Sequence, residues 1–257
     1  MRIKPLKNIG RAIIVLFLAA VGFAGCKQEE QQPPAVVEPV RTVDLQMAVV
    51  FLHGAHEYEL ASTYTNAFGT LFKLDTLRFL LSDTYVVDDD GETLGTYPDH
   101  VIAVDAAAGT DTFAVGSLTA SHVHWMYWTV GLATALNQQD PGSASPPLND
   151  ASLRCGPASS DGYRFVEVEG RWDSDASGDI GPADAVFAYR VCGTGYARPA
   201  SSRIHGDLPE SGAMVVPVRV DIEQLIEGLD MANHPTADAT LSELLITNLV
   251  TALETEH

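Results

Sequence analysis

Ser121-His122-Val123-His124-Trp125-Met126-Tyr127-Trp128-Thr129-Val130 is dominated by β-branched and aromatic residues, the composition of a β-strand. In a strand alternate side chains share a face, so His122, His124, Met126 and Trp128 are expected along one side. Two imidazoles, a thioether and an indole together are compatible with copper, because imidazole suits the cupric ion and thioether the cuprous one. The same run also reads as a sandwich strand with one apolar end and two surface histidines.

Outward from this strand the chain keeps the same character. Residues 45–52, 71–79, 84–87, 100–104 and 214–220 are short apolar or alternating runs, and 163–169 with 185–191 form an expected strand pair. Gly, Asp and Pro punctuate them, as in Asp88-Asp89-Asp90-Gly91 and the proline-rich loop 137–150. Only the C-terminal end has helical texture. Asp221 can cap a short helix that stops near Gly228, and Thr240-Leu241-Ser242-Glu243 has the form of a capping box. Beyond it Leu241, Leu244, Leu245, Leu249 and Leu253 recur at helical spacing and are expected to pack on a sheet. The expected fold is therefore mostly β: an antiparallel β-sandwich with a short C-terminal helical segment.

Residues 1–25 stand apart. Arg2, Lys4, Lys7 and Arg11 precede an apolar run, 12–24, too short to span a bilayer, and Phe23-Ala24-Gly25-Cys26 closes it. This is a secretory signal, and its ending resembles a bacterial lipobox, which implies cleavage before Cys26 and acylation of its thiol. Lys27 rather than Asp follows, which favours the outer membrane, facing the periplasm. Residues 26–42 then comprise the acylated N-terminus and a polar, proline-containing tether, and 43–257 the folded domain.

After loss of the signal, 11 basic residues face 34 acidic ones, a net charge of −23. Such a surface repels nucleic acid and anionic lipid, leaves the N-terminal lipid as the only membrane contact, and suits cations or a basic partner. With Cys26 acylated, Cys155 and Cys192 remain, and in an oxidising compartment a disulfide between them is the simplest expectation. A cysteine-ligated metal is the alternative.

Asp173-Ser174-Asp175-Ala176-Ser177-Gly178-Asp179-Ile180-Gly181-Pro182-Ala183-Asp184 carries a second constellation. Asp173, Asp175, Ser177 and Asp184 occupy loop positions 1, 3, 5 and 12, with Gly178 at 6 and Asp179 beside it, the pattern of a calcium loop. Asp in place of Glu at the last position, and strands rather than helices on either side, argue instead for an acidic hairpin loop. No nucleophile elbow, phosphate loop or zinc-protease motif occurs in the sequence, and the chain is not expected to be an enzyme.

The order of segments resembles the MbnP-like family, periplasmic copper-binding proteins first associated with methanobactin operons. The resemblance rests on Val50-Phe51-Leu52-His53, Tyr64-Thr65-Asn66-Ala67-Phe68-Gly69, Leu77-Arg78-Phe79-Leu80-Leu81-Ser82, Ile102-Ala103-Val104-Asp105 and Thr129-Val130-Gly131-Leu132. It continues through Pro146-Pro147-Leu148-Asn149, Asp161-Gly162-Tyr163-Arg164-Phe165 and Val218-Arg219-Val220-Asp221. It implies an all-β domain that binds one copper ion through histidines, and a partner di-haem enzyme of the MauG-like class that oxidises a tryptophan to kynurenine. The chain departs from the family twice. Leu153-Arg154-Cys155-Gly156 stands where many relatives have a Trp-rich segment, and Arg190-Val191-Cys192 where a His-Leu-Gly motif is expected. Trp125 and Trp128 are then the candidates for oxidation.

The copper ligands expected from these readings are His53, His122 and His124, on strands assumed to be neighbours, with His56, His100 and Met126 in reserve. His205 and His234 read as solvated loop residues. The competing function is a non-catalytic sandwich lipoprotein that binds calcium or a protein partner. A copper oxidase or oxygenase forms a third class and needs an open coordination position.

Overall fold

The computed structural model describes residues 39–108 and 112–255. The expected signal peptide, Cys26 and most of the expected tether lie outside the described residues. The strands are β1 (Arg41–His53), β2 (His56–Glu57), β3 (Tyr64–Thr65), β4 (Leu71–Val87), β5 (Thr93–Tyr97), β6 (Ile102–Asp105) and β7 (Thr112–Ala120). They continue with β8 (His122–Val130), β9 (Arg164–Trp172), β10 (Ala185–Cys192), β11 (Arg198–Asp207), β12 (Ala213–Asp221) and β13 (Leu253–Thr255). Among the described residues the α-helices are α1 (Thr134–Asn137), α2 (Ile222–Leu225) and α3 (Ala239–Ala252), and none is long and apolar enough to cross a membrane.

Two sheets face each other across the core, so the expected sandwich is present. One sheet has the order β13-β12-β1, with β7 and β2 on the other side of β1 at opposite ends. The other runs β10-β9-β4-β8-β11, with β3, β5 and β6 also pairing on β4. Period-two alternation drives the assembly: Val43, Leu45, Met47 and Val49 of β1 point inward, and Phe72, Leu74, Leu77 and Phe79 of β4 are buried in the same core, their alternation shifted once by a bulge after Leu74. All pairings between these strands are antiparallel except one, since β1 and β12 run parallel from Asp44↔Ala213 to Leu52↔Asp221. A parallel neighbour requires a crossover rather than a hairpin, and almost the whole domain lies between the two strands.

The helical end follows the expectation with two corrections. Asp221 caps α2 by accepting from the backbone N–H groups of Glu223 and Gln224. The cap of α3, however, is Asp238, which accepts from Leu241 N at 2.8 Å, so the sequence 240–243 lies inside the helix. Asp is as good an N-cap as Thr and stands two residues earlier. The helix also stops at Ala252, and Leu253 begins a short strand on β12. Leu245 and Leu249 bury fully, as sheet-packing residues should.

Candidate metal centre

Strand β8 occupies residues 122–130 as expected, but its neighbours distribute the donors differently. Met126 and Trp128 are fully buried, so the thioether belongs to the core and not to an open ligand face. His122 and His124 sit at the start of the strand with side chains only 24% and 23% exposed. Their partners come from two other places. β11 pairs antiparallel with β8, which sets Asp207 directly opposite His122. Between Arg203 and Gly206 the register slips against Trp125 and Val123, so β11 carries a bulge at Ile204-His205. Bulges re-aim side chains, and this one carries the His205 ring to 4.6 Å from His122 and 5.2 Å from His124.

The third contribution is Asp89, at the tip of the turn between β4 and β5. Asp88 stiffens that turn, accepting from the N–H groups of Asp90 and Glu92. Because Val87 pairs with Trp125, the turn emerges beside the two histidines. Asp89 lies 3.4 Å from His122 Nε2, 2.9 Å from His124 Nδ1 and 3.4 Å from His205 Nδ1. His122 Nε2 is 3.3 Å from His205 Nδ1, and His122 Nδ1 is 2.6 Å from Asp207 Oδ1. One atom each from Asp89, His122 and His205 gathers within 4.8 Å. A carboxylate on the far ring nitrogen is the arrangement that fixes a ligating imidazole and raises its basicity. Imidazole with carboxylate suits divalent copper or zinc.

His53 does not join this group. β1 begins with Arg41 opposite Ala120, beside His122, and ends at His53. Twelve residues of strand at about 3.3 Å each separate the two ends by roughly 40 Å, so His53 cannot share an ion with His122 and His124. Strand adjacency, assumed from sequence, fails because β1 and β8 belong to different sheets, β1 lying beside β12 and β7, and β8 between β4 and β11. His53 instead packs its ring on Tyr64 with centroids 4.4 Å apart, with Nδ1 3.4 Å from Glu223 and Nε2 buried without a hydrogen-bond partner among the described residues. It borders a cavity of about 430 Å³ with Thr65, Asp221 and Glu227. His56 pairs with it across the β1–β2 hairpin and is exposed. His100 is also elsewhere, its Nε2 2.6 Å from the carbonyl of Ala114.

The sequence reading missed His205, Asp89 and Asp207. β11 is an edge strand containing Pro199 and Gly206, both of which edges tolerate, and its polar composition disguised it as loop. The spacing His205-Gly206-Asp207 opposite His122 is a signal only once the pairing is known.

The acidic loop joins β9 to β10 as a hairpin connection. Carboxylate oxygens of Asp173, Asp175 and Asp184 lie within 4.8 Å of one another, while the Asp179 carboxylate is outside that set. Asp173 and Asp175 both accept from Ser177 N, and Asp184 accepts from Gly181 N and Ser174 N. Hydrogen bonds from Ser177 hold the Asp175 carboxyl below its usual range, and those from Gly181 and Ser174 do the same for Asp184. The disulfide Cys155–Cys192 is present, and it ties together the two segments that depart from the family pattern. Trp125, half-buried, lies 5.8 Å from the His124 ring, whereas Trp128 is sealed in the core.

The family model described as MbnP matches residues 40–241. Among solved structures, MbnP from Methylosinus trichosporium is similar, with a TM-score of 0.52 at 15% identity over 77% of this chain and 82% of that one. No curated protein sequence matches the chain. With 202 of its 257 residues matched, the chain belongs to the MbnP family.

Proposed function

We propose that this chain is a copper-binding protein of the cell envelope that holds one cupric ion between His122, His205 and Asp89. The observation that carries this reading is the convergence of two imidazole nitrogens and a carboxylate at 3.3–3.4 Å, backed by Asp207 behind His122. A nitrogen and oxygen donor set binds copper(II) more tightly than zinc, and membership of a copper-associated family favours the same ion. The role is carriage rather than catalysis. The lipobox-like ending at Cys26 supports an outer-membrane lipoprotein facing the periplasm, and a Cys26→Ser variant that is still processed and membrane-bound sinks that part. The resemblance further supports a di-haem MauG-like partner, for which Trp125, beside His124, is the reachable tryptophan.

Metal analysis of untagged protein tests the reading, with copper expected near one per chain. His122→Ala with His205→Ala is expected to lower cupric affinity at least 100-fold, and His53→Ala to leave it unchanged. Unaltered stoichiometry and affinity in the double variant refute the site. A second reading is favoured by the gathering of Asp173, Asp175 and Asp184: a lipoprotein whose metal is calcium. Calcium without copper in the purified protein selects it.

A further inference from the structure

The donor groups of the histidine cluster lie close together: His122 Nε2 to His205 Nδ1 is 3.3 Å, His122 Nε2 is 3.4 Å from Asp89 Oδ2, and His205 Nδ1 is 3.4 Å from Asp89 Oδ1. The chain thus gathers three donor groups, two imidazoles and one carboxylate, which leaves a fourth position around an ion for another ligand. His124 is the remaining imidazole nearby. Its Nδ1 faces Asp89 Oδ1 at 2.9 Å, the hydrogen-bond distance of a group that orients a ligating carboxylate. Asp207 is engaged at 2.6 Å with the opposite ring nitrogen of His122.

The side away from these two is open. His205 and Asp89 are 48% and 55% exposed, and Asp89 and His122 border a cavity of about 390 Å³ together with Asp88, Asp90, Leu94 and Ser121. That volume exceeds what one water needs and accommodates a small ring. Its charge is selective: Asp88 and Asp90 stand at the rim of a strongly acidic protein, which opposes the entry of anions and leaves neutral donors unhindered.

We infer that the cluster is an open coordination site, in which the chain supplies three donors, His124 and Asp207 orient two of them, and an imidazole from outside takes the fourth position through the cavity. This rests on the proposal that a copper ion binds at the cluster. An exposed histidine on another protein carries the fitting group, so the same position serves for handing the ion on. A closed site with His124 as fourth ligand makes the opposite prediction.

The test uses the full-length protein loaded with one cupric ion, titrated separately with imidazole and with azide while the ligand-field band and the EPR hyperfine splitting are followed. One imidazole per copper is expected, bound at least ten-fold more tightly than azide, and Asp90→Asn is expected to narrow that gap several-fold. In His124→Ala copper is held more weakly, but the loaded variant still takes one imidazole. A wild-type spectrum unmoved by either ligand overturns the inference. So does imidazole binding that exists only in His124→Ala, because His124 then fills the fourth position. Wild-type protein that takes up no copper overturns the underlying proposal and is recognised before any ligand is added, so the two failures are distinct.

Discussion

His122 and Asp207 face each other across the β8–β11 ladder, and the pairing brings Nδ1 of one to 2.6 Å from Oδ1 of the other. The consequence is a defined tautomer: Nδ1–H donates to the carboxylate, and Nε2, on the side of His205 and Asp89, keeps the lone pair that can ligate an ion. Asp207→Asn, which cannot draw the proton in the same way, is expected to weaken cupric binding about 10–100-fold. Competition against a chelator of known affinity measures this. A thermal midpoint equal to wild type distinguishes loss of orientation from loss of fold.

The acidic loop offers an independent test. If Asp173, Asp175 and Asp184 hold calcium, an ion present at 100 times its dissociation constant stabilises the domain by about 2.7 kcal/mol. Calcium is then expected to raise the thermal midpoint of wild type by several degrees. Asp173→Asn with Asp184→Asn is expected to abolish that rise. Equal midpoints with and without calcium in wild type mean that the loop is an acidic hairpin held by its own hydrogen bonds.

Cys155 and Cys192 close a loop with a sequence separation of 37. On the chain-entropy model their bond stabilises the domain by roughly 3–4 kcal/mol. Replacing both with Ser is expected to lower stability by that amount in chemical denaturation while leaving copper affinity unchanged. A loss below 1 kcal/mol contradicts the estimate.

Gly170 lies in β9 between β4 and β10, and a Cβ there meets the carbonyl oxygen of Lys73 at 2.0 Å and the Phe187 ring at 2.9 Å. Backbone cannot yield as a side chain tip can. Gly170→Ala is therefore expected to destabilise by about 1–3 kcal/mol or more, read as a lower denaturation midpoint at constant slope. A neutral result shows that the strand can bend away from β4.

Local features were legible in the sequence because their physics is local. Alternation along residues 43–49 places one side of β1 in the core whatever the partner strand, and Asp221 caps α2 through backbone groups two and three residues away. The acidic loop gathers its carboxylates within twelve consecutive residues of a hairpin, so spacing alone announced it. The disulfide needed no geometry, since two cysteines remained after Cys26 was set aside. The metal cluster is of another kind. His122, His205 and Asp89 are brought together by a bulge in an edge strand and by the height at which a turn leaves β4. His53, matched to them by residue type, is carried to the far end of the sandwich by the length of β1. Register between strands distant in sequence is set by the joint packing of both sheets, a property no single segment contains, so only the tertiary structure decided which histidines meet.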